Sequence, residues 1–130
     1  MILSIELKML MWSVILGIVQ LLLAAQAALP QTGLNWNLSP RDEEKKITGV
    51  PARLQRAFKN YMETFPFFMA AVLIVQITTL GNNMSATGVH IYFWARVLYV
   101  PLYALGIPGV RTLVWVVSMI GVSMVLSVVI

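Results

Sequence analysis

Four long apolar stretches, each close to the length that crosses a lipid bilayer, dominate the sequence. The first covers residues 9–29, which are 21 residues without a charge, and the last covers residues 112–130, which are 19 residues without a charge. Two more lie at about residues 64–80 and 85–105. Since a bilayer core takes about 20 apolar residues per helix, four spans use nearly all of this chain.

The composition points to the same class of protein. Hydrophobic residues make up 59% of the chain and charged residues only 11%, whereas soluble domains carry about 25% charged residues. These values exclude an ordinary soluble domain and a disordered chain. The net charge is only +4 and most basic residues flank apolar spans, so we expect no nucleic-acid partner. With no cysteine and one histidine in the chain, we also expect no metal site.

We therefore predict an all-α integral membrane protein, a four-helix bundle that forms a single domain over residues 1–130. The spans are predicted at about residues 5–29, 52–80, 85–105 and 110–130, with a cytoplasmic loop at 30–51.

Basic residues indicate how the chain is oriented. Six of them lie between residues 30 and 60, whereas the turn at 81–83 and the tail beyond residue 112 have none. Cytoplasmic loops carry an excess of Lys and Arg, so the long loop is predicted to be cytoplasmic and both termini non-cytoplasmic. Four spans give the same result, because an even number returns the chain to its starting side.

Polar residues recur at helical spacing in two of the spans. At about 100° per residue each set falls on one helix face. The second span carries Arg53, Arg56, Asn60 and Glu63, and the third carries Tyr92, Arg96, Tyr99 and Tyr103.

Two of these charges are predicted to lie deep in the membrane. At 1.5 Å per residue, Glu63 lies about 18 Å into its helix, and Arg96 lies at a similar depth in the next. An unpaired charge there is unfavourable, so we predict a Glu63–Arg96 ion pair. Subtracting that pair leaves a cationic, tyrosine-lined pocket that suits a small anion with several carboxylates. Two alternatives stay open, since basic residues near helix ends often snorkel to lipid headgroups and tyrosines often form interfacial belts.

The run Arg-Ala-Phe-Lys-Asn-Tyr-Met-Glu-Thr-Phe-Pro, residues 56–66, resembles the signature of a known family. It matches all fixed positions of the R-A-x-x-N-x-x-E-x-x-P motif of the MAPEG family, the membrane-associated proteins in eicosanoid and glutathione metabolism. The chain looks most similar to the short bacterial branch. The resemblance implies a homotrimer of four-helix bundles in the bacterial inner membrane, with glutathione as co-substrate between neighbouring subunits.

The resemblance also implies roles for individual residues. Arg111 would stabilise the glutathione thiolate and is the predicted catalytic residue. A free thiol has a pKa of about 8.5, and lowering it by about two units takes about 2.7 kcal/mol of thiolate stabilisation. The residues expected to bind glutathione come from the polar stripe of the second span and from the third span. They are Arg53, Arg56, Asn60, Glu63, Arg96, Tyr99 and Tyr103.

Three functions are candidates for a chain of this class. The first is a membrane-bound glutathione S-transferase or peroxidase that acts on hydrophobic, lipid-soluble substrates. The second is a non-catalytic scaffold that binds lipid or a partner, as some family members do. The third, a small drug–proton exporter, needs a titratable carboxylate in the first span, and residues 9–29 contain none. In this interpretation Glu63 is the only buried acid, held ionised by its basic neighbours.

Overall fold

The computed structural model describes residues 2–130, and all regular structure in that range is helical. The elements are α1 (Ile5–Thr32), α2 (Leu34–Leu38), α3 (Val50–Thr78), α4 (Asn83–Ala104) and α5 (Val110–Ser127). Among the described residues, α1, α3 and α5 are long and apolar enough to cross a membrane. α4 has 22 residues but carries Arg96 and several tyrosines, and it falls outside that set. The protein is an all-helical bundle with membrane-spanning helices.

Side-chain caps fix where two of the helices begin. The Ser4 hydroxyl accepts a hydrogen bond from the Leu7 backbone N–H at 3.2 Å, at the start of α1. At the start of α4, the Asn82 side chain accepts from the Ser85 N–H and the Ser85 hydroxyl accepts from the Asn82 N–H. This reciprocal pair satisfies backbone donors that a helix leaves without partners.

Two elements differ from the sequence prediction. α1 continues past residue 29 to Thr32, although Pro30 has no backbone N–H to donate to the carbonyl four residues earlier. Gly33, with φ of 82°, then ends the helix in a conformation that glycine adopts readily. The short α2 follows inside the predicted loop.

The core lies where α1, α3, α4 and α5 meet. Its centre is an aromatic stack in which the Phe68 and Tyr92 rings lie 4.0 Å apart between centroids. The Tyr61 hydroxyl donates to the Ser13 backbone carbonyl, which ties α3 to α1. Tyr92, predicted on the same polar face as Arg96, is fully buried in this core.

α4 and α5 cross with their backbones in contact. A Cβ atom added to Gly88 would lie 2.7 Å from the Gly121 carbonyl oxygen, and one added to Gly121 would lie 2.7 Å from the Gly88 carbonyl oxygen. Small residues permit this close approach, which membrane helices use in place of a hydrophobic driving force. The crossing fixes α5 against α4.

The N-terminal end of the bundle holds an unexpected buried acid. Glu6 lies in the first turn of α1, is 6% exposed and accepts a hydrogen bond of 2.6 Å from the Ser85 hydroxyl. Glu63, in contrast, is exposed on the protomer. The expectation that Glu63 is the only buried acid is therefore wrong. Burial of the Glu6 carboxylate is favoured by the helix dipole at the N-terminal end of α4.

The glycine crossing predicts that Gly121→Ala lowers stability. Alanine alone would favour the helix by about 1 kcal/mol, but overpacking costs about 1–3 kcal/mol, and here the clash is with backbone. We expect a lower apparent Tm for Gly121→Ala in detergent, measured by circular dichroism. Ser123→Ala, at an exposed position two residues further along α5, is the matched control. An unchanged Tm for Gly121→Ala would contradict the backbone contact.

Candidate functional site

A cavity of about 410 Å³ opens on one side of the bundle, where α3, α4 and α5 come together. Its lining residues are Arg56, Lys59, Asn60, Glu63, Tyr99, Tyr103, Arg111, Thr112 and Trp115. Six of the eight residues singled out in the sequence therefore border one space.

α3 supplies the polar wall of the cavity. It presents two neighbouring stripes of side chains, one toward the cavity and one toward the core of the bundle. Arg56, Asn60 and Glu63 follow one stripe and border the cavity. Tyr61 and Thr64 belong to the adjacent stripe and are buried in the bundle. The Asn60 Oδ1 atom is buried and has no hydrogen-bond partner among residues 2–130. A buried amide oxygen in that state can accept from a ligand donor.

Tyr103 lies beside two arginines from different helices. The Arg111 guanidinium carbon is 4.4 Å from the centre of the Tyr103 ring, and that of Arg56 is 5.9 Å away. A Tyr99 ring 5.6 Å from Tyr103 completes this wall. The negative face of an aromatic ring attracts cations, so Tyr103 stabilises both guanidinium groups and leaves their positive charge in place.

The cavity lining carries more positive than negative side chains. Arg56, Lys59 and Arg111 are cations, and Glu63 is the one carboxylate. An anionic ligand with one positive group is electrostatically matched to such a lining. In the described part of the chain, no group of three or more His, Cys, Asp or Glu residues is placed to hold a metal ion.

Arg96 does not pair with Glu63, and that prediction is wrong. Arg96 is 1% exposed, and its three guanidinium nitrogens have no hydrogen-bond partner in residues 2–130. The guanidinium carbon instead lies 4.1 Å from the Tyr99 ring centre and 5.5 Å from that of Tyr61. The two side chains do not meet, because Glu63 borders the open cavity whereas Arg96 is enclosed in the bundle.

The magnitudes explain why Arg96 is tolerated inside the bundle. An arginine at the centre of a membrane helix costs roughly 2.5–3.5 kcal/mol on insertion scales. A desolvated cation–π contact contributes about 2 kcal/mol, so contacts with Tyr99 and Tyr61 offset the cost.

Arg53 also lies outside the cavity lining. Its Nη1 atom donates a hydrogen bond of 3.1 Å to the Ala104 backbone carbonyl at the C-terminal end of α4. A cation at that end complements the helix dipole. The structure therefore gives Arg53 a helix-end contact, although its spacing places it on the same stripe as Arg56.

Three lining residues were missing from the predicted site. Lys59 is three positions after Arg56 on α3. Thr112 and Trp115 follow Arg111 on α5. The spacing of Arg111 and Trp115 is i, i+4, which puts them on one helix face and was the available signal.

The position of Arg96 predicts an unusual mutational pattern. Arg96→Met removes the buried charge with little change of volume, so the free energy of unfolding should stay level or rise. Tyr99→Leu leaves the cation without its nearest ring and should lower the free energy of unfolding by about 2 kcal/mol. The double variant should be more stable than Tyr99→Leu alone, as measured by thermal unfolding in detergent.

Tyr99→Phe is the control for this pair, because it keeps the ring face and removes only the hydroxyl. It should behave like the unmodified protein. If Arg96→Met is as unstable as Tyr99→Leu, the guanidinium has a polar partner and the cation–π account fails.

Fold and site together define a class: an integral membrane helical bundle with a cationic, tyrosine-lined cavity beside α3. The chain belongs to the MAPEG family, whose family model matches residues 9–130, nearly the whole chain. The resemblance carried by the run at residues 56–66 is thereby confirmed. A search of the curated proteins found no match, and a search of the solved structures found none either. Membership suggests a glutathione-related membrane function.

Proposed function

We propose that the protein is a membrane-bound glutathione S-transferase or peroxidase that acts on hydrophobic, lipid-soluble substrates. The observation that carries this proposal is the meeting of six predicted residues at one cavity beside α3: three of the motif, two tyrosines and Arg111. Membership of the MAPEG family supports the same choice of co-substrate.

The charges of the cavity suit glutathione. The tripeptide has two carboxylates, one ammonium group and a thiol that becomes negative when it reacts. The cavity offers three cations, Arg56, Lys59 and Arg111, and one carboxylate, Glu63. Glu63 is thus the natural partner of the ammonium group, and the cations suit the carboxylates and the thiolate.

Arg111 is the proposed catalytic residue. Only a few per cent of a free thiol is ionised at pH 7, and a guanidinium beside it favours the thiolate. An arginine suits this task because it keeps its charge in a partly dry site. In the transferase reaction the thiolate sulfur forms a bond to an electrophilic carbon while the leaving group departs with its electron pair.

The exposure of the polar wall supports an oligomer. Arg56, Lys59 and Glu63 are exposed on the single protomer, yet Glu63 lies about 20 Å along α3 from its start at Val50. A charge that faces lipid at such depth is costly. We propose that a neighbouring copy covers the cavity in a homotrimer. α4 would then be the fourth membrane span. Both termini would lie on the non-cytoplasmic side of a bacterial inner membrane.

A non-catalytic scaffold is the second candidate, and Thr64 favours it. Its hydroxyl donates to the Tyr61 backbone carbonyl at 3.1 Å and lies 3.2 Å from the Tyr92 hydroxyl. The residue directly after Glu63 is therefore engaged in the core and adds no reactive group to the cavity. A cavity that only binds an anion needs none.

The catalytic proposal predicts that Arg111→Ala lowers turnover more than it weakens glutathione binding. Loss of about 2.7 kcal/mol of thiolate stabilisation corresponds to about a hundredfold lower rate. The measurements are glutathione-dependent loss of a chromogenic electrophile and calorimetric binding of glutathione. Lys45→Ala, which removes a loop cation outside the cavity, should leave both unchanged.

Two results would decide against the transferase. Glutathione binding without turnover supports the scaffold. If calorimetry detects no binding at millimolar glutathione, the cavity serves another anion.

The oligomer proposal predicts a native mass of three chains in detergent. We expect the neighbouring copy to cover apolar as well as charged side chains, so the trimer should persist at high salt, where surface ion pairs weaken. Native mass measured at low and high salt checks this, and a monomer at both would contradict it.

A further inference from the structure

The connection between α4 and α5, residues 105–109, joins two parts of the cavity wall. Tyr103 lies in the last turn of α4, and Arg111 lies in the first turn of α5. The Arg111 guanidinium carbon is 4.4 Å from the centre of the Tyr103 ring. The position of Arg111 relative to Tyr103 therefore depends on the shape of this connection.

The α4–α5 connection has little support from its own residues. Residues 105, 106, 108 and 109 are exposed on the protomer. The hydrogen bonds of the connection are local, such as that from the Gly106 N–H to the Tyr103 carbonyl at 3.0 Å. Exposed backbone with few buried contacts opens at a low free-energy cost. A contact from another helix therefore has a large effect on how the connection is held.

Arg53 of α3 makes such a contact. Its Nη1 atom donates a hydrogen bond of 3.1 Å to the backbone carbonyl of Ala104, the last residue of α4. The side chain also lies against Gly106, because a Cβ atom added to Gly106 would lie 3.3 Å from the Arg53 Nε atom and 3.4 Å from its guanidinium carbon. The guanidinium is thus held against the backbone on either side of Leu105.

The Arg53 contact links the two sides of the cavity. Arg53 and Arg56 are three positions apart on α3 and share one helix face. Arg56 borders the cavity, whereas Arg53 lies outside its lining and grips the connection that leads to Arg111. Removing the Arg53 side chain would therefore take no group from the cavity wall but would release the start of α5.

We propose that Arg53 is a positioning residue, which holds the α4–α5 connection and so fixes Arg111 where the glutathione thiolate forms. This inference rests on the proposed function. Loss of Arg53 displaces Arg111, while Asn60 and Glu63 keep their places on α3. Turnover therefore falls more than glutathione binding, whereas a residue that only stabilised the bundle would not separate the two.

The first test is the kinetics of Arg53→Met, which removes the donor and keeps an unbranched side chain. We expect kcat to fall about tenfold, less than for Arg111→Ala, because the Arg111 guanidinium is misplaced rather than removed. Glutathione affinity measured by calorimetry should change little, and the ultraviolet absorbance of the bound thiolate should decrease. Arg53→Lys keeps a cation that can donate to the Ala104 carbonyl and should restore most of the turnover.

Two glycines of the connection provide a matched pair of variants. Gly106 and Gly109 have φ of 71° and 77°, so alanine is strained to a similar extent at both. Only at Gly106 would the added methyl group meet Arg53, since nothing lies within 4 Å of a Cβ atom added to Gly109. Gly106→Ala should therefore lower turnover more than Gly109→Ala. In the Arg53→Met background the two should have equal effects, because substitutions that act through one contact are not additive.

Hydrogen exchange tests the contact without glutathione. In full-length Arg53→Met in detergent, the backbone amides of residues 105–113 should exchange faster than in the unmodified protein. The amides around Phe68, in the core, should exchange as before. Lys45→Met removes a loop cation outside the cavity and should leave both segments unchanged.

Three results would overturn the proposal. Unchanged exchange at residues 105–113 would show that Arg53 does not hold the connection. Equal losses of turnover and glutathione affinity in Arg53→Met would show that Arg53 binds the ligand itself. Equal turnover of Gly106→Ala and Gly109→Ala would show that the contact with Arg53 has no effect. Absence of glutathione binding by the unmodified protein would instead contradict the proposed function, and the exchange experiment would still decide whether Arg53 holds the connection.

Discussion

Three arginine side chains of α3, α4 and α5 lie against tyrosine rings rather than against carboxylates. Arg96 lies over Tyr99, and Arg111 and Arg56 lie beside Tyr103. A carboxylate partner would neutralise the arginine, whereas a ring stabilises the cation and leaves its charge available. The cavity can therefore stay positive at a depth where isolated charges are expensive. Both the helix packing around Arg96 and the excess of positive charge in the cavity lining depend on this one kind of contact.

α3 connects the core with the cavity because its neighbouring faces have different tasks. One face, with Tyr61, Thr64 and Phe68, packs into the bundle. The next carries Arg56, Asn60 and Glu63 to the cavity. A single helix thus contributes to the core and to the polar wall of the cavity, so no separate domain is needed to build that wall.

Helical periodicity predicted part of the cavity wall that α3 supplies. The i, i+4, i+7 spacing of Arg56, Asn60 and Glu63 fixes a common face whatever that helix packs against. Spacing cannot fix the rotation of two helices relative to each other, and that rotation decides whether Glu63 meets Arg96. Nor does it show that a side chain such as Arg53 reaches the end of a neighbouring helix.

The contact between Gly88 and Gly121 has a mechanical consequence. Backbone atoms meet there with no side chain between them, so no change of rotamer can let α4 and α5 slide past each other. That pair forms a stiff frame carrying Tyr99, Tyr103 and Arg111. A widening that admits a bulky molecule would then displace α3, and it would have to break the stacking of Phe68 on Tyr92 and the hydrogen bond from Arg53 to the Ala104 carbonyl.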